Sequence, residues 1–561
     1  MSAETPFSHQ TRAAALAGMA ADPVDVLVIG GGITGAGIAR DAALRGLRVA
    51  LVDKGDFGSG TSSHSSRLIH GGIRYLEHGD FRLVFEASRE RRVLLRIAPH
   101  LVRPLAFLFP AYRGARVPAW QLRAGMWLYD ILAAFRNVHA HRWLGRKAIH
   151  RIEPGLRDKD LKGGALYYDA QADDARLVLA TLRSAVDAGA LAASYAEATA
   201  LLKPDGRIAG ATVRDVLTGE SRSIRAFTVV NATGPWVDAL RHADDAKAAP
   251  LLRPTKGVHV IVPRARLGHT NAITLTSPLD GRVMFVLPWG DLSYIGTTDT
   301  DEQTPPDDIA ATAADVIYLL RSANAFFPHA RLAPQDVLST WAGLRPLLAP
   351  PRDASPAQVS REHRVVESPS GLITIAGGKL TTYRVMARDV VDVVVKKLRA
   401  LDGRPAPRAA PTDRLPLPGG ETADLDVLVD ATRARNIPEA TARHLVRAYG
   451  SEAAAVVNLM ERDRALGRPI LEGRPEMWAE VVHAVEREMA QRLPDVLIRR
   501  LHLFYEDPGH GAAAAPPVAR RMAQLLGWER GREGEEIAAY LSEVKRARAF
   551  MAGVPRASRV S

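Results

Sequence analysis

The sequence predicts an α/β fold that opens on a β-α-β unit, carries an inserted mixed sheet, and closes in a mainly helical C-terminal domain. Three observations predict it. A glycine-rich turn sits between an apolar run and a helical pattern near the N-terminus; later strand-like runs alternate with helical ones; and a Pro/Gly-rich break precedes a stretch in which nearly everything has helical periodicity.

Residues 25–29 (DVLVI) form the first strand, Gly30-Gly31-Gly32 the turn, residues 33–44 the helix and residues 48–52 (RVALV) the second strand. Gly30, Gly32 and Gly35 fit G-x-G-x-x-G: the first allows the turn, the second lets backbone approach a pyrophosphate, and the third permits tight helix-strand packing. The phosphates would rest on the helix N-terminus at Ile33, where free N–H groups and the dipole favour anions. Asp53 ends the second strand at the spacing of about 20 residues expected of a carboxylate that binds ribose hydroxyls. Further strands are expected at 227–230, 258–262, 283–287 and 372–376, with a helix at 176–188. Residues 1–21 read as a flexible extension, at best a short Ala-rich helix. Residues 22–404 read as a discontinuous cofactor domain with an inserted substrate-binding domain, 405–420 as a Pro/Gly-rich linker, 421–552 as the helical domain with helices at 477–491 and 535–550, and 553–561 as a disordered tail.

At 561 residues the chain should divide into two or three domains, and its 47% hydrophobic and 24% charged fractions are those of an ordinary globular protein. It has no cysteine, which excludes disulfides, thiolate zinc sites, cysteine-ligated iron-sulfur clusters and a dithiol relay; no metal site is expected, and redox chemistry must come from a bound cofactor. The net charge of +12 suits nucleic acid, an anionic membrane or anionic small molecules, and equally a solvated basic surface. The first twenty residues lack the charged and apolar regions of a signal peptide, and no stretch reaches the ~20 apolar residues of a spanning helix, so a membrane contact would be peripheral.

Three features favour FAD over NAD. The Ser/Thr-rich loop 61–66 (TSSHSS) offers hydroxyls and amides to a long cofactor; residues 231–236 (NATGPW) supply a second close backbone approach; and strand 372–376 runs into Gly377-Gly378-Lys379 and then a helix, whose positive end would face the isoalloxazine. The expected cradle is Gly30, Gly31, Gly32, Ile33, Gly35, Asp53, Lys54, Thr61, Ser62, Ser66, Arg67, Ala232, Gly234, Trp236, Gly378, Lys379, Leu380 and Thr381.

Six blocks in order carry a resemblance: IGGGITGAGIARDAALRG (29–46), RLIHGGIRYLEH (67–78), NATGPW (231–236), IGTTD (295–299), WAGLRPL (341–347) and GGKLTTYRVMA (377–387). Together they resemble the FAD-dependent, aerobic glycerol-3-phosphate dehydrogenases, and DVLIRR (495–500) extends the likeness into the C-terminal domain, so only the first twenty or so residues fall outside it. The resemblance implies a glutathione-reductase-like FAD domain, a sheet-based substrate domain and a helical cap. It further implies oxidation of sn-glycerol 3-phosphate to dihydroxyacetone phosphate by hydride transfer to FAD. Electrons would pass to a membrane quinone from an enzyme lying on the inner face of the cytoplasmic membrane. The family's oxidase branch, which makes peroxide, often carries an extra insertion; none is evident here, which favours the dehydrogenase.

The alcohol proton needs a base, and imidazole titrates near working pH; His70, near Arg74 and Tyr75, is either that base or a structural histidine beside the cofactor. By the resemblance Arg74 and Arg345 are first choices for the phosphate, since arginine supplies forked donors. Arg361 is a third donor or part of an ion-pair network with Glu362 and Arg364, and Tyr75 bonds the phosphate or sits half-buried in the core. Lys379, after two glycines, would polarise the C2 hydroxyl near the flavin.

In residues 118–147, Leu128, Ile131, Leu132 and Phe135 recur at helical spacing with Trp120, Trp127 and Trp143 beside Arg123, Arg136, Arg142, Arg146 and Lys147. That pattern suits an interfacial helix on anionic lipid or a helix packed on the protein's own core. Two other readings compete: an amine or amino-acid oxidase, needing one carboxylate-binding arginine, and a nucleic-acid-binding protein, whose aromatic-plus-basic motif is not evident; nucleic acid is therefore not expected as a partner. The oligomeric state, a homodimer included, is open.

Overall fold

Six consecutive buried residues make the strand Val24–Ile29, and only a strand covered on both faces can bury such a run. It lies parallel to Val49–Val52 on one side and to Ser221–Asn231 on the other, with Ile33–Leu44 as the crossover helix. The computed structural model describes residues 7–72, 79–133, 138–349, 362–403, 405 and 407–554. Among these the strands form two sheets. The first has eight strands; its path runs from the antiparallel edge His363–Glu367 through Ile373–Gly377, Ser221–Asn231, Val24–Ile29 and Val49–Val52 to Leu191–Ala193. The crossover helix packs between Asp174–Asp187 and Tyr383–Asp402, so the layer under the cofactor domain is continuous.

The second sheet has ten strands, mostly antiparallel, with Thr255–Pro263 paired to both Leu292–Gly296 and Ser339–Arg345. This is the inserted sheet, and the fold is the expected one. The C-terminal domain includes helices Glu439–Tyr449, Trp478–Arg487, Ala515–Leu526 and Arg530–Arg548; the last of these contacts the strand Ser339–Arg345.

Four expectations change. Residues 7–21 are not a flexible extension: the helix His9–Ala21 is N-capped by Ser8, and Phe7 is fully buried, its ring 5.7 Å from that of Phe57. Arg12 anchors the helix, donating to both oxygens of buried Asp215 and to the carbonyls of Ser194 and Tyr195. The linker is stapled down, because Thr412 takes a hydrogen bond from Arg384 and Leu417 is buried with its N–H on the Ile97 carbonyl. The helix expected to run to residue 491 ends at Arg487: Glu488 is buried facing Arg176 at 2.6 Å, and Met489 takes a left-handed φ of 53°. At the other end Val554 is buried, so the expected disordered tail is packed at its start.

Candidate active site

One cavity of about 920 Å³ runs between the two sheets and is bordered by the C-terminal domain. Its first wall is the glycine turn. A Cβ on Gly30 would lie 2.5 Å from the Ala232 carbonyl oxygen and one on Gly35 would lie 1.8 Å from that of Gly30, so these positions exist for close backbone approach. The helix Ile33–Leu44 has Gly32 as N-cap, no side-chain cap and no acidic residue in its first turn, which leaves its positive end suited to a pyrophosphate. Asp53 accepts from the Gly31 and Gly55 N–H groups at 2.6 and 2.8 Å, and burial pushes its carboxyl up to about 6. Ser62 Oγ accepts from the Ile33 N–H at 3.0 Å, tying the hydroxyl-rich loop to the turn. This donor set fits FAD.

Most of the expected cradle lines the cavity: Gly30, Gly32, Ile33, Asp53, Lys54, Thr61, Ser62 and Ser66 on one side, and Ala232, Gly234, Trp236, Gly378, Lys379, Leu380 and Thr381 on the other. Gly31, in the turn, and Gly35, in the helix that follows it, lie behind it. Lys54 is at the rim, bonded to Asp307 at 2.8 Å and 4.3 Å above the Trp236 ring. Arg67 stands behind the wall as well. Its buried guanidinium stacks 4.0 Å from the Trp289 ring and faces Asp174 at 3.6 Å, so it supports the wall and does not line the cavity.

The substrate side is built on paired strands in which glycine makes room for function. Gly257 carries no side chain because a Cβ there would meet the Arg345 guanidinium at 2.3 Å, and a Cβ on Gly296 would meet the His259 ring at 2.1 Å. Arg345 lines the cavity and is held by Asp299 (3.2 Å), the Thr297 hydroxyl (2.8 Å) and the Thr298 carbonyl (3.1 Å), all from the IGTTD block. His70 and Lys379 also line the cavity, and the His70 N–H donates to the Thr381 hydroxyl at 3.2 Å. Arg74, Tyr75 and Arg361 lie outside the described residues.

His259 is the residue the sequence reading missed. It lines the cavity, its ring is stacked on Trp341 at 4.8 Å, and its Nε2 lies 2.9 Å from the Ser66 hydroxyl. Burial, and then the nearby Arg345 and Arg67, hold the imidazole well below its ordinary pKa, so it is neutral near pH 7. A histidine inside the apolar run 258–262 was the available signal. The C-terminal domain was also missed as part of the site: Arg499, Tyr505, Glu543 and Arg546 line the same cavity.

Residues 25–384 match the family described as FAD dependent oxidoreductase, and residues 410–533 match the C-terminal domain of alpha-glycerophosphate oxidase. Glycerol-3-phosphate dehydrogenase 2 of Mycobacterium tuberculosis is 40% identical over 542 residues, spanning 95% of this chain and 90% of the relative. The chain belongs to the FAD-dependent glycerol-3-phosphate dehydrogenase family. The family's aerobic glycerol-3-phosphate dehydrogenase of Staphylococcus aureus is 35% identical over 94% of each chain. The crystal structure of the glycerol-3-phosphate dehydrogenase from Bacillus halodurans complexed with FAD superposes with a TM-score of 0.82 at 32% identity, covering 97% of this chain and 99% of that one. As the family implies, FAD is the cofactor. The L-alpha-glycerophosphate oxidase of Mycoplasma pneumoniae shares the fold at 18% identity and a TM-score of 0.53 over 71% of this chain and 99% of that one.

Proposed function

We propose that this chain oxidises sn-glycerol 3-phosphate at C2 to dihydroxyacetone phosphate and delivers the two electrons to a membrane quinone. The observation that carries the reading is the shared cavity: Lys379 on the cofactor side, and a neutral His259 and the Arg345 guanidinium on the facing sheet. FAD, when bound, supplies the hydride acceptor. The names of the relatives support the substrate.

An alcohol proton is held with a pKa of roughly 16, so a base must take it as the hydride leaves. His259 suits that role: in the tautomer with the proton on Nδ1, its neutral ring offers the Nε2 lone pair beside the Ser66 hydroxyl at 2.9 Å. His70, on the loop beside Thr381, is the second candidate. Lys379 lowers the cost of negative charge on the C2 oxygen. Arg345, pre-set by Asp299 and Thr297, clasps the phosphate, with Arg74 and Arg361 as further donors.

For the acceptor, the helix Ala119–Leu132 buries Leu122, Met126 and Tyr129 and leaves Trp120, Trp127 and Ile131 exposed. It contacts the helix Phe81–Ile97, which exposes Phe81 and Phe85. This aromatic surface supports peripheral docking on the cytoplasmic face of the membrane, where a quinone is reached.

The test is spectroscopic. Anaerobic sn-glycerol 3-phosphate should bleach the flavin band, and quinone in vesicles should restore it without peroxide; rapid peroxide formation in air would favour the oxidase. Arg345→Ala should keep FAD and raise the substrate concentration for half-bleaching by about 10–100-fold, the worth of a lost charged hydrogen bond. A flavin that the substrate leaves oxidised would end the reading.

A further inference from the structure

The loop that follows the strand Val49–Val52 uses its two faces differently. Asp53, Gly58 and Ser59 line the cofactor cavity, whereas Asp56 and Phe57 are buried in the protein at 1% exposure each. A carboxylate taken out of water needs partners. Those of Asp56 come from 443 and 444 residues further along the chain: Arg499 Nε and Arg500 Nη1 both donate to Oδ2, and Arg500 Nη2 donates to Oδ1 at 3.0 Å. Burial alone raises a carboxyl's pKa, yet the two guanidiniums hold Asp56 below its ordinary value.

Both arginines are fixed in turn. Arg499 Nη2 donates to Asp495 at 2.5 Å, Tyr195 OH donates to the same oxygen at 2.6 Å, and Arg500 Nη2 also donates to the Glu488 carbonyl at 2.8 Å. Tyr195 closes the ring, because its N–H donates to the Gly55 carbonyl at 2.9 Å while the Ala196 N–H donates to that of Asp53 at 2.7 Å. Asp56, Asp495, Arg499 and Arg500 thus form a buried charged cluster, which Arg500 extends to the Glu488 carboxylate at 3.9 Å and one member of which, Arg499, also lines the cavity.

We propose that Asp56, Arg499 and Arg500 are positioning residues for FAD: through them the C-terminal domain holds the loop at 53–60 in the shape that grips the cofactor, so release of FAD requires this buried contact to open. A second, partly buried ion pair between the same two domains provides the comparison. Arg183, on the helix Asp174–Asp187, donates to both oxygens of Glu452 at 2.5 and 2.7 Å, and neither residue lines the cavity.

The experiment uses the FAD-loaded full chain and reads cofactor release, by the rise in flavin fluorescence on dilution, with hydrogen exchange of the amides at 53–60 alongside. Asp56→Asn and Arg500→Lys should each release FAD at least about tenfold faster and loosen those amides, because lysine keeps the charge but lacks the fork. Arg183→Gln should stay within about twofold of the parent, since it breaks an interdomain pair away from the loop. If all three release FAD equally fast, the contact is general domain glue and the proposal falls. Should Asp56→Asn fail to fold, Arg500→Lys decides alone, and parental release from it overturns the proposal. The readout needs no substrate, so either result leaves the substrate reading untouched.

Discussion

An imidazole buried near two guanidiniums, as His259 is near Arg345 and Arg67, resists protonation, and its folded pKa lies well below the ordinary 6.5. The sign follows: the neutral, proton-accepting form persists as pH falls through 6.5, and the rate falls only at lower pH, where the ring finally charges. The rate of flavin reduction should therefore be flat from pH 8 down through about 6.5, the ordinary imidazole value. His259→Asn should lower it by about 10²–10⁴-fold while the oxidised flavin spectrum is kept. A rate of flavin reduction that this substitution leaves unchanged would move the base to His70. One histidine among 17 attracts no notice in a sequence. What singles it out is Gly296 on the neighbouring strand, which leaves the space its ring fills.

At the scale of elements, strands were legible where burial is two-sided: the expected 25–29 is observed as Val24–Ile29, and 258–262 as Thr255–Pro263. Elements held by distant charges were not. The helix His9–Ala21 has too weak an apolar stripe to announce a docking face, and its anchor is the buried Arg12–Asp215 pair at 2.7 Å, with a partner 203 residues away. Arg12→Ala leaves Asp215 without its counter-charge and should cost about 3 kcal/mol in urea unfolding; a loss below about 0.5 kcal/mol, the range of ordinary surface substitutions, would mean the helix is held by apolar contacts alone. The helix Ala119–Leu132 packs one face on the core, as one of its two readings expects, and exposes Trp120 and Trp127 on the other.

For the whole molecule, no helix among the described residues is long and apolar enough to cross a membrane. The membrane docking we propose would therefore use a surface, and the exposed Trp120 and Trp127 mark the candidate. Replacing Trp120 and Trp127 by Ser should reduce sedimentation with anionic vesicles by about tenfold or more and leave soluble flavin reduction unchanged; undiminished sedimentation would move the contact elsewhere. The sequence by itself determined the cofactor turn, the inserted sheet and the helical end, because glycine spacing and apolar periodicity are local and the chain states them directly. Only the tertiary structure decided that His259 faces the cavity, that Arg67 stands behind its wall, and that Asp56 closes on Arg499 and Arg500. Each of these depends on side chains from separate segments meeting in a buried, low-dielectric space, where a charge is stable only beside its partner.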